Sequence, residues 1–232
     1  MDRIDKIISN QLGYSRNDVK KLVRNKRVVM NGEIVNKTDI KVDINKDIIK
    51  VDGNIIDIKK YVYLMLNKPK GYISATEDRS MKTVLDLVPD KYMHRKLFPA
   101  GRLDKDTTGL MIITDDGEFA HNILSPKKHI TKTYEVIVDK QITDEMVLGF
   151  NNGVKLNDGE CKSAELDIIS EYMGIVTLTE GRYHQIKRMF GCFGAKVLEL
   201  KRIKMGNFKL PNDLNEGEVR EFTIEELKQV QD

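Results

Sequence analysis

The chain has 232 residues, 40% of them hydrophobic and 32% charged, with a formal net charge of +3 at pH 7. This is ordinary soluble globular composition, with room for one large domain or a small and a medium one. Its longest apolar run, Tyr61 to Leu66, is six residues, so no membrane span is expected, and the mixed charges of MDRIDKIISNQLG do not read as a signal peptide.

Cys161 and Cys192 have no CxxC spacing, and His94, His121, His129 and His184 show no HxxxH or HxH pairing. The expectation is reduced thiols in a cytoplasmic protein, with no disulfide scaffold and no metal site. Charge is unevenly placed. Residues 1–60 hold 14 Lys/Arg against 9 Asp/Glu, a net of +5, and Gly181 to Lys209 holds 8 Lys/Arg against Glu199 alone, a net of +7. Two basic islands in a nearly neutral chain suggest a polyanionic partner touched at two places.

In chain order, Ile4, Ile7, Ile8 and Leu12 form a helical stripe closed by Gly13. Ser15 sits where an N-cap belongs, with Asp18 in the following turn. The second helix, about Arg16 to Asn25, would bury Val19, Leu22 and Val23 and expose Arg16, Lys20, Lys21 and Arg24. Lys26 and Arg27 follow, then Val28 to Val35, whose central Asn31-Gly32 signals a hairpin. A strand is expected at about Asp47 to Val51. This order, with RIDKII, SRNDVKKLVRNKRVVMNGEIV and DIIKVDG, resembles the S4 RNA-binding domain over residues 1–57. The resemblance implies that Arg16, Lys20, Lys21, Arg24, Lys26 and Arg27 face RNA phosphates, each neutralised phosphate releasing a counterion.

Residues 58–62 interrupt the pattern and are read as a linker, with a second domain over 63–232. Tyr63 to Leu66 is an apolar strand, and Asn67-Lys68-Pro69-Lys70-Gly71-Tyr72 reads as a turn. Thr83 to Leu87 is a short helix stopped by Pro89. Leu110 to Ile113 is a buried strand, and Asp116 to Leu124 a helix with Phe119 and Leu124 inward, ended by Ser125-Pro126. Thr131 to Val138 alternates as a strand. Gln141 to Phe150 is helical with Thr143 as N-cap, and strands follow near 153–156, 162–168 and 174–179. Ile186, Met189 and Phe190 have helical spacing, and Lys196 to Met205 reads as a strand. Strands joined by short helices and hairpins indicate an α+β domain with a mixed, mostly antiparallel sheet.

Between Phe98-Pro99 and the strand at Leu110 lies Gly101-Arg102-Leu103-Asp104-Lys105-Asp106-Thr107-Thr108-Gly109-Leu110. Two acids, two bases, two threonines and two glycines in a run too irregular for a helix face describe a tight loop held by a sheet. Such loops commonly present reactive side chains; the same spacing also describes a solvated turn with a surface ion pair. GRLDKDTTGL resembles the catalytic loop of the pseudouridine synthases, in the branch of ribosomal small-subunit enzymes and their large-subunit relatives, and LNKPKGY matches the start of that family's catalytic domain.

The resemblance implies that Asp104 is the catalytic carboxylate, which attacks C1′, adds to C6, or removes a proton at C2′. Lys187, at the end of His184-Gln185-Ile186, matches the family's basic residue and is expected to pair with Asp104 and favour its ionised form; relatives carry arginine there. Tyr134 matches the active-site tyrosine, which stacks on a flipped uracil with its hydroxyl near a proton in transit. Arg102 would contact phosphate or fill the flipped nucleotide's place, Asp106 would fix the loop, and Leu200 would wall the base. Arg182, His184, Gln185 and Arg188 complete the expected RNA contacts. No cofactor is implied.

The string EGRYHQIKRMF looks most like the small-subunit branch, whose large-subunit relatives carry Asn-Arg before the same basic end. The expected function is isomerisation of one uridine of 16S ribosomal RNA, free or in a small-subunit assembly intermediate, by a monomer without membrane contact. A 23S ribosomal RNA site and a non-catalytic S4-domain ribosome-binding or assembly factor are the alternatives.

Overall fold

The structure is a computed structural model, describing residues 1–125 and 128–231. It separates into two compact units. One is Met1–Val62 with Pro89–Lys96; the other holds the remaining described residues.

In the first unit, strand β1 (Asp2–Arg3) leads into helix α1 (Ile4–Leu12), which ends on Gly13 at φ 73°. Ser15 caps α2 (Arg16–Arg24) by accepting the Asp18 N–H. Next come β2 (Val28–Met30), β3 (Glu33–Ile34), β4 (Lys41–Val42), β5 (Ile49–Val51) and β6 (Asn54–Ile55). Four of these form a sheet in the order β3-β2-β5-β6, and β4 pairs with β1. The helices pack Ile4, Ile7, Ile8, Val19, Leu22 and Val23 against Val28, Ile49 and Val51 of that sheet. Asn31 and Gly32, at φ 52° and 90°, turn β2 into β3, as the Asn-Gly pair leads one to expect. The pairing of β1 with β4 was not legible in advance, because two-residue strands carry no period.

Residues 58–62 are tied into this unit. The Lys59 carbonyl accepts from Gln11 Nε2 at 2.7 Å and Arg95 Nη2 at 3.3 Å, and the Lys60 carbonyl accepts from Arg95 Nη2 at 3.0 Å. Arg95 thereby accounts for the grouping of Pro89–Lys96 with the N-terminal residues.

The second unit contains β7 (Tyr63–Lys68), β8 (Phe98–Pro99), β9 (Thr108–Thr114), α3 (Gly117–Leu124), β10 (Lys132–Val138), α4 (Asp144–Asn152), β11 (Lys155–Leu156), β12 (Gly159–Glu160), β13 (Glu165–Ser170), β14 (Met173–Leu178), α5 (Gln185–Cys192), β15 (Val197–Met205), β16 (Phe208–Lys209), β17 (Val219–Glu221) and α6 (Ile224–Gln231). A nine-stranded sheet runs β13-β14-β10-β15-β9-β7-β17, with β8 against β9 and β16 against β15. Only the β9–β15 pairing is parallel among these. The architecture is therefore α+β with a mixed, mostly antiparallel sheet.

Every residue of β9 is buried. A strand covered on both faces reads as a continuous apolar run, which Leu110-Met111-Ile112-Ile113 supplies. Its entry is set by Gly109 at φ 98°: a Cβ there would lie 2.2 Å from the Arg202 carbonyl oxygen. Only glycine lets β15 approach closely enough to pair in parallel. One core gathers Val136, Val176, Leu178 and Leu200 of the sheet under Met146 and Phe150 of α4 and Ile186, Met189 and Phe190 of α5. Another gathers Met65, Leu110 and Ile112 with α3 and α6.

Several local expectations need correction. Asn67 and Lys68 are not in a turn; they complete β7, paired with Leu110 and Gly109. Helix α4 begins at Asp144 and not at Gln141, because the Thr143 hydroxyl caps it by accepting the Met146 N–H. In α3 the inward residues are Phe119, Ala120 and Ile123, while Leu124 is 38% exposed. Pro126, expected to help end α3, lies outside the described residues; the helix stops at Leu124 with Ser125 as C-cap. No helix among the described residues is long and apolar enough to cross a membrane.

Candidate active site

The loop between β8 and β9 is fastened from beneath. The Thr107 N–H donates to the Asp104 carbonyl at 3.1 Å, closing a tight turn, and the Gly71 N–H donates to the Lys105 carbonyl at 2.8 Å. Ser74 Oγ donates to the Leu103 carbonyl at 2.8 Å and accepts the Leu103 N–H at 2.9 Å. At the centre is Lys68, fully buried at the end of β7. Its Nζ lies 2.8 Å from the Thr107 carbonyl oxygen, 3.1 Å from those of Asp104 and Pro69, and 3.4 Å from that of Lys105. The Asp104 and Lys105 carbonyls also receive the Thr107 and Gly71 N–H groups, so the Pro69 and Thr107 carbonyls depend most on Lys68, and a buried carbonyl without a donor is costly. Burial pulls the Lys68 ammonium down to about 8, against the opposing pull of the Asp106, Asp104 and Glu216 charges. Sequence alone does not reveal this role, because the lysine looks like one more cation of a basic turn.

Above the loop, the Asp104 side chain is about a quarter exposed and faces the start of α5. Lys187 Nζ stands 3.3 Å from Asp104 Oδ2 and 2.6 Å from Asp106 Oδ1. The pair expected between Asp104 and Lys187 is present, and Asp106 shares it. Burial lowers the Lys187 ammonium, but the Asp106 hydrogen bond and the charges of Asp104 and Asp106 outweigh it and hold Lys187 above its ordinary value. Burial likewise raises the Asp106 carboxyl, and Lys187 reverses the sign, leaving it below the ordinary carboxylate value. Asp106 thus anchors the lysine that flanks Asp104. His184 Nε2 lies 3.4 Å from Asp104 Oδ1. The residue is held at φ 48°, ψ 37°, a left-handed conformation that costs a side-chain-bearing residue about 1 kcal/mol.

The α5 approach is braced by residues expected to contact RNA. Gln185 is 5% exposed; its Oε1 accepts the Arg182 N–H at 2.9 Å and its Nε2 donates to Glu180 at 2.7 Å. With both amide ends consumed in the loop, its expected RNA contact is corrected to a structural one. Arg182 donates to the Asp158, Gly159 and Glu160 carbonyls. Arg188 pairs with the Asp158 carboxylate and donates to the Tyr183 carbonyl at 3.0 Å. The two guanidinium groups clamp the β11–β12 hairpin to the loop before α5.

Tyr134 is half-buried on β10 and packs against the same core that receives Ile186 and Met189 of α5, so it shares a sheet face with that helix. It pairs with Arg202, which pairs with Gly109; two strand spacings put the Tyr134 and Gly109 backbones about 10 Å apart. Leu200 is buried beside Val136 in that core. Two further cations of the sheet, besides Lys68, are interior. Arg202, 2% exposed, donates to the Leu110 carbonyl at 2.6 Å, and Lys132 donates to the Ile130 carbonyl at 2.8 Å. Burial, aided by Arg202, pulls Lys132 down to about 8. Arg102 is exposed and makes no hydrogen bond or ion pair among the described residues.

In the first unit, Arg16, Lys20, Lys21, Arg24, Lys26 and Arg27 are all exposed. Lys21 is bonded to Asp18 at 3.1 Å and Arg27 to Asp52. Arg16, Lys20, Arg24 and Lys26 have no such partner among the described residues. The first three recur every four residues along α2, flanking the buried stripe of Val19, Leu22 and Val23, and form a row with about 6 Å between neighbours. A row of free cations on a rigid helix is suited to a phosphate backbone.

Comparison with known proteins agrees with both domain assignments. Residues 62–191 match the family described as RNA pseudouridylate synthase, and residues 2–48 match the S4 domain. The chain is 43% identical over 233 residues to the ribosomal small subunit pseudouridine synthase A of Yersinia pestis, spanning 98% of this chain and 97% of that one. It is 42% identical over 231 residues to the Escherichia coli K12 protein of the same name, spanning 98% and 99%. The crystal structure of a pseudouridylate synthase superposes with a TM-score of 0.70 at 36% identity, covering 99% of this chain and all of that one. A fastened loop presenting Asp104 to Lys187, in a chain that opens with an S4 domain and its cationic helix, thus has full-length relatives of one activity, and the chain belongs to the RNA pseudouridylate synthase family.

Proposed function

We propose that this enzyme isomerises a single uridine of 16S ribosomal RNA to pseudouridine, with Asp104 as the catalytic carboxylate. The observation that carries the substrate assignment is the full-length likeness to the small-subunit enzymes of Yersinia pestis and Escherichia coli. The Tyr-His-Gln that distinguishes this chain's motif from the Asn-Arg of large-subunit relatives agrees with it.

The reaction breaks the C1′–N1 bond, turns the uracil and joins C1′ to C5. A base within a stack must first be flipped out. Asp104 then acts as nucleophile at C1′ or C6, or as base at C2′. In each case it must be ionised and aimed, and Lys187, held by Asp106, supplies a fixed positive charge 3.3 Å away. An ion pair arranged before substrate arrives requires little reorganisation during reaction. Tyr134 offers a ring for the turned uracil. On this reading the enzyme works as a monomer in the cytoplasm, on free 16S RNA or a small-subunit assembly intermediate, with the row on α2 holding phosphates elsewhere in the RNA.

The test is to incubate the protein with 16S transcript, 23S transcript and assembling small subunits, then map pseudouridine by carbodiimide modification and primer extension. One strong stop in 16S RNA is expected. A stop in 23S RNA alone would move the substrate to the large subunit, and binding without any stop would make the protein a binding factor.

A further inference from the structure

The Tyr183 side chain is used by neither the catalytic pair nor the bracing. It is 71% exposed, so the core does not account for it. Its ring stacks on the His184 imidazole, with centroids 3.9 Å apart and planes 19° from parallel. The other edge of this two-ring stack reaches the reaction centre, because His184 Nε2 stands 3.4 Å from Asp104 Oδ1. The backbone beneath is rigidly held. The Tyr183 carbonyl accepts from Arg188 Nη1, and Arg188 is locked to Asp158. His184 keeps its left-handed conformation at the helix start, where backbone strain commonly marks functional geometry.

We infer that the Tyr183–His184 stack is a base platform, on which a nucleotide next to the target uridine stacks when that uridine enters the site. The inference rests on the RNA substrate of the proposed function but not on which ribosomal RNA carries it. Flipping one nucleotide leaves its neighbours short of a stacking partner. A flat aromatic ring beside the catalytic carboxylate, one face supported and the other open, replaces the missing partner for any base. Because the ring is already fixed, little side-chain entropy is lost on binding. The platform assigns Tyr183 to substrate binding, and the hydroxyl has no part in it.

The experiment uses the full chain and whichever transcript, 16S or 23S, the wild type modifies. Failure of the 16S assignment therefore appears in the wild type, and failure of the platform appears only in the variants. Initial rates of tritium release from C5-labelled uridine give kcat and KM. Tyr183→Ala is expected to raise KM roughly five- to hundredfold, the range for removal of one base stack, with kcat changed less than about threefold. Tyr183→Phe and Tyr183→Trp, which keep the ring, are expected to stay within about threefold of wild type. A KM for Tyr183→Ala within about twofold of wild type, or equal losses in Tyr183→Phe and Tyr183→Ala, overturns the inference. A photoreactive benzoylphenylalanine at position 183 provides a check that does not depend on the alanine variant folding. Its crosslink should map within about two nucleotides of the modified uridine, and a crosslink elsewhere, or none, overturns the platform.

Discussion

At the residue scale, Lys187 joins two carboxylates of one loop. The unequal distances, 3.3 Å to Asp104 and 2.6 Å to Asp106, assign different roles. Asp106 holds the lysine more closely, and Asp104 meets it with Oδ2 while its Oδ1 faces His184 Nε2 at 3.4 Å. Asp104→Asn preserves size and removes charge, so turnover should fall by more than about a thousandfold, roughly 4 kcal/mol of barrier, while RNA affinity persists through phosphate contacts elsewhere. Single-turnover product formation and filter binding measure the two; turnover within about tenfold of wild type would remove Asp104 from the chemistry. Lys187→Met should depress kcat much more than it raises KM, since the charge acts on the carboxylate. Lys187→Arg should retain partial activity, as a planar fork replaces a point charge between the same two acids. Equal losses in Lys187→Arg and Lys187→Met would show that charge is not what matters. The expected phosphate contacts at Arg182 and Arg188 play no part in this reasoning, because the clamp on Asp158 and its neighbours uses those groups.

At the scale of elements, the end of β7 and the turn that opens toward β9 work as one piece through Lys68. Its ammonium has three N–H donors turned into the loop carbonyls, and a neutral amine has two. Because its folded value is about 8, below the ordinary 10.5, two pH effects run in opposite directions. Between pH 8 and 10.5 the unfolded chain binds the extra proton, so the contribution of Lys68 to stability rises with pH across that window. That gain is gone once the pH has fallen to about 8. Activity should fall as pH rises through about 8, when the loop loses a charged donor. Lys68→Met should flatten both trends. It should also reduce kcat at neutral pH, because the Pro69 and Thr107 carbonyls lose their Lys68 donor, at about 1–3 kcal/mol each. Rate profiles from about pH 6 to 10 and urea titrations at both ends test this; an alkaline limb unchanged in Lys68→Met would place the titrating group elsewhere.

At the scale of the whole molecule, the two basic islands have different fates. In the C-terminal island Arg182 and Arg188 clamp a hairpin, Lys187 serves Asp104, and Arg202 is interior. Less of that net charge faces outward than the count suggests. In the N-terminal unit Arg16, Lys20 and Arg24 stay free in one row. Replacing these three by glutamine should lower the slope of log affinity against log salt by about 2, near 0.7 for each phosphate no longer neutralised, with kcat at saturating RNA unchanged. Because all three are exposed, stability should move by less than about 0.5 kcal/mol each. An unchanged slope would show that α2 does not touch the RNA backbone. This substitution is cleaner than deleting residues 1–57, since Lys59 would lose Gln11 while Lys59 and Lys60 still hold Arg95, the segment's tie to 89–96.

The sequence by itself determined what is local. Ser15, Gly13 and Asn31-Gly32 mark their caps and turn because capping and positive φ are decided within a few residues. The run Leu110 to Ile113 announces a strand covered on both faces, and GRLDKDTTGL marks Asp104 through a family resemblance. Only the tertiary structure decided where charges find partners. Asp106 and Lys187 are 81 residues apart in sequence, and Lys68 and Thr107 39. No periodicity links such positions, and a lysine, arginine or glutamine reads alike whether it meets RNA, a carboxylate or a buried carbonyl. The distinction between Lys68, which holds the loop, and Lys187, which pairs with Asp104 and Asp106, arises from burial and the groups within hydrogen-bond reach. Both are set when β7, β9 and α5 converge.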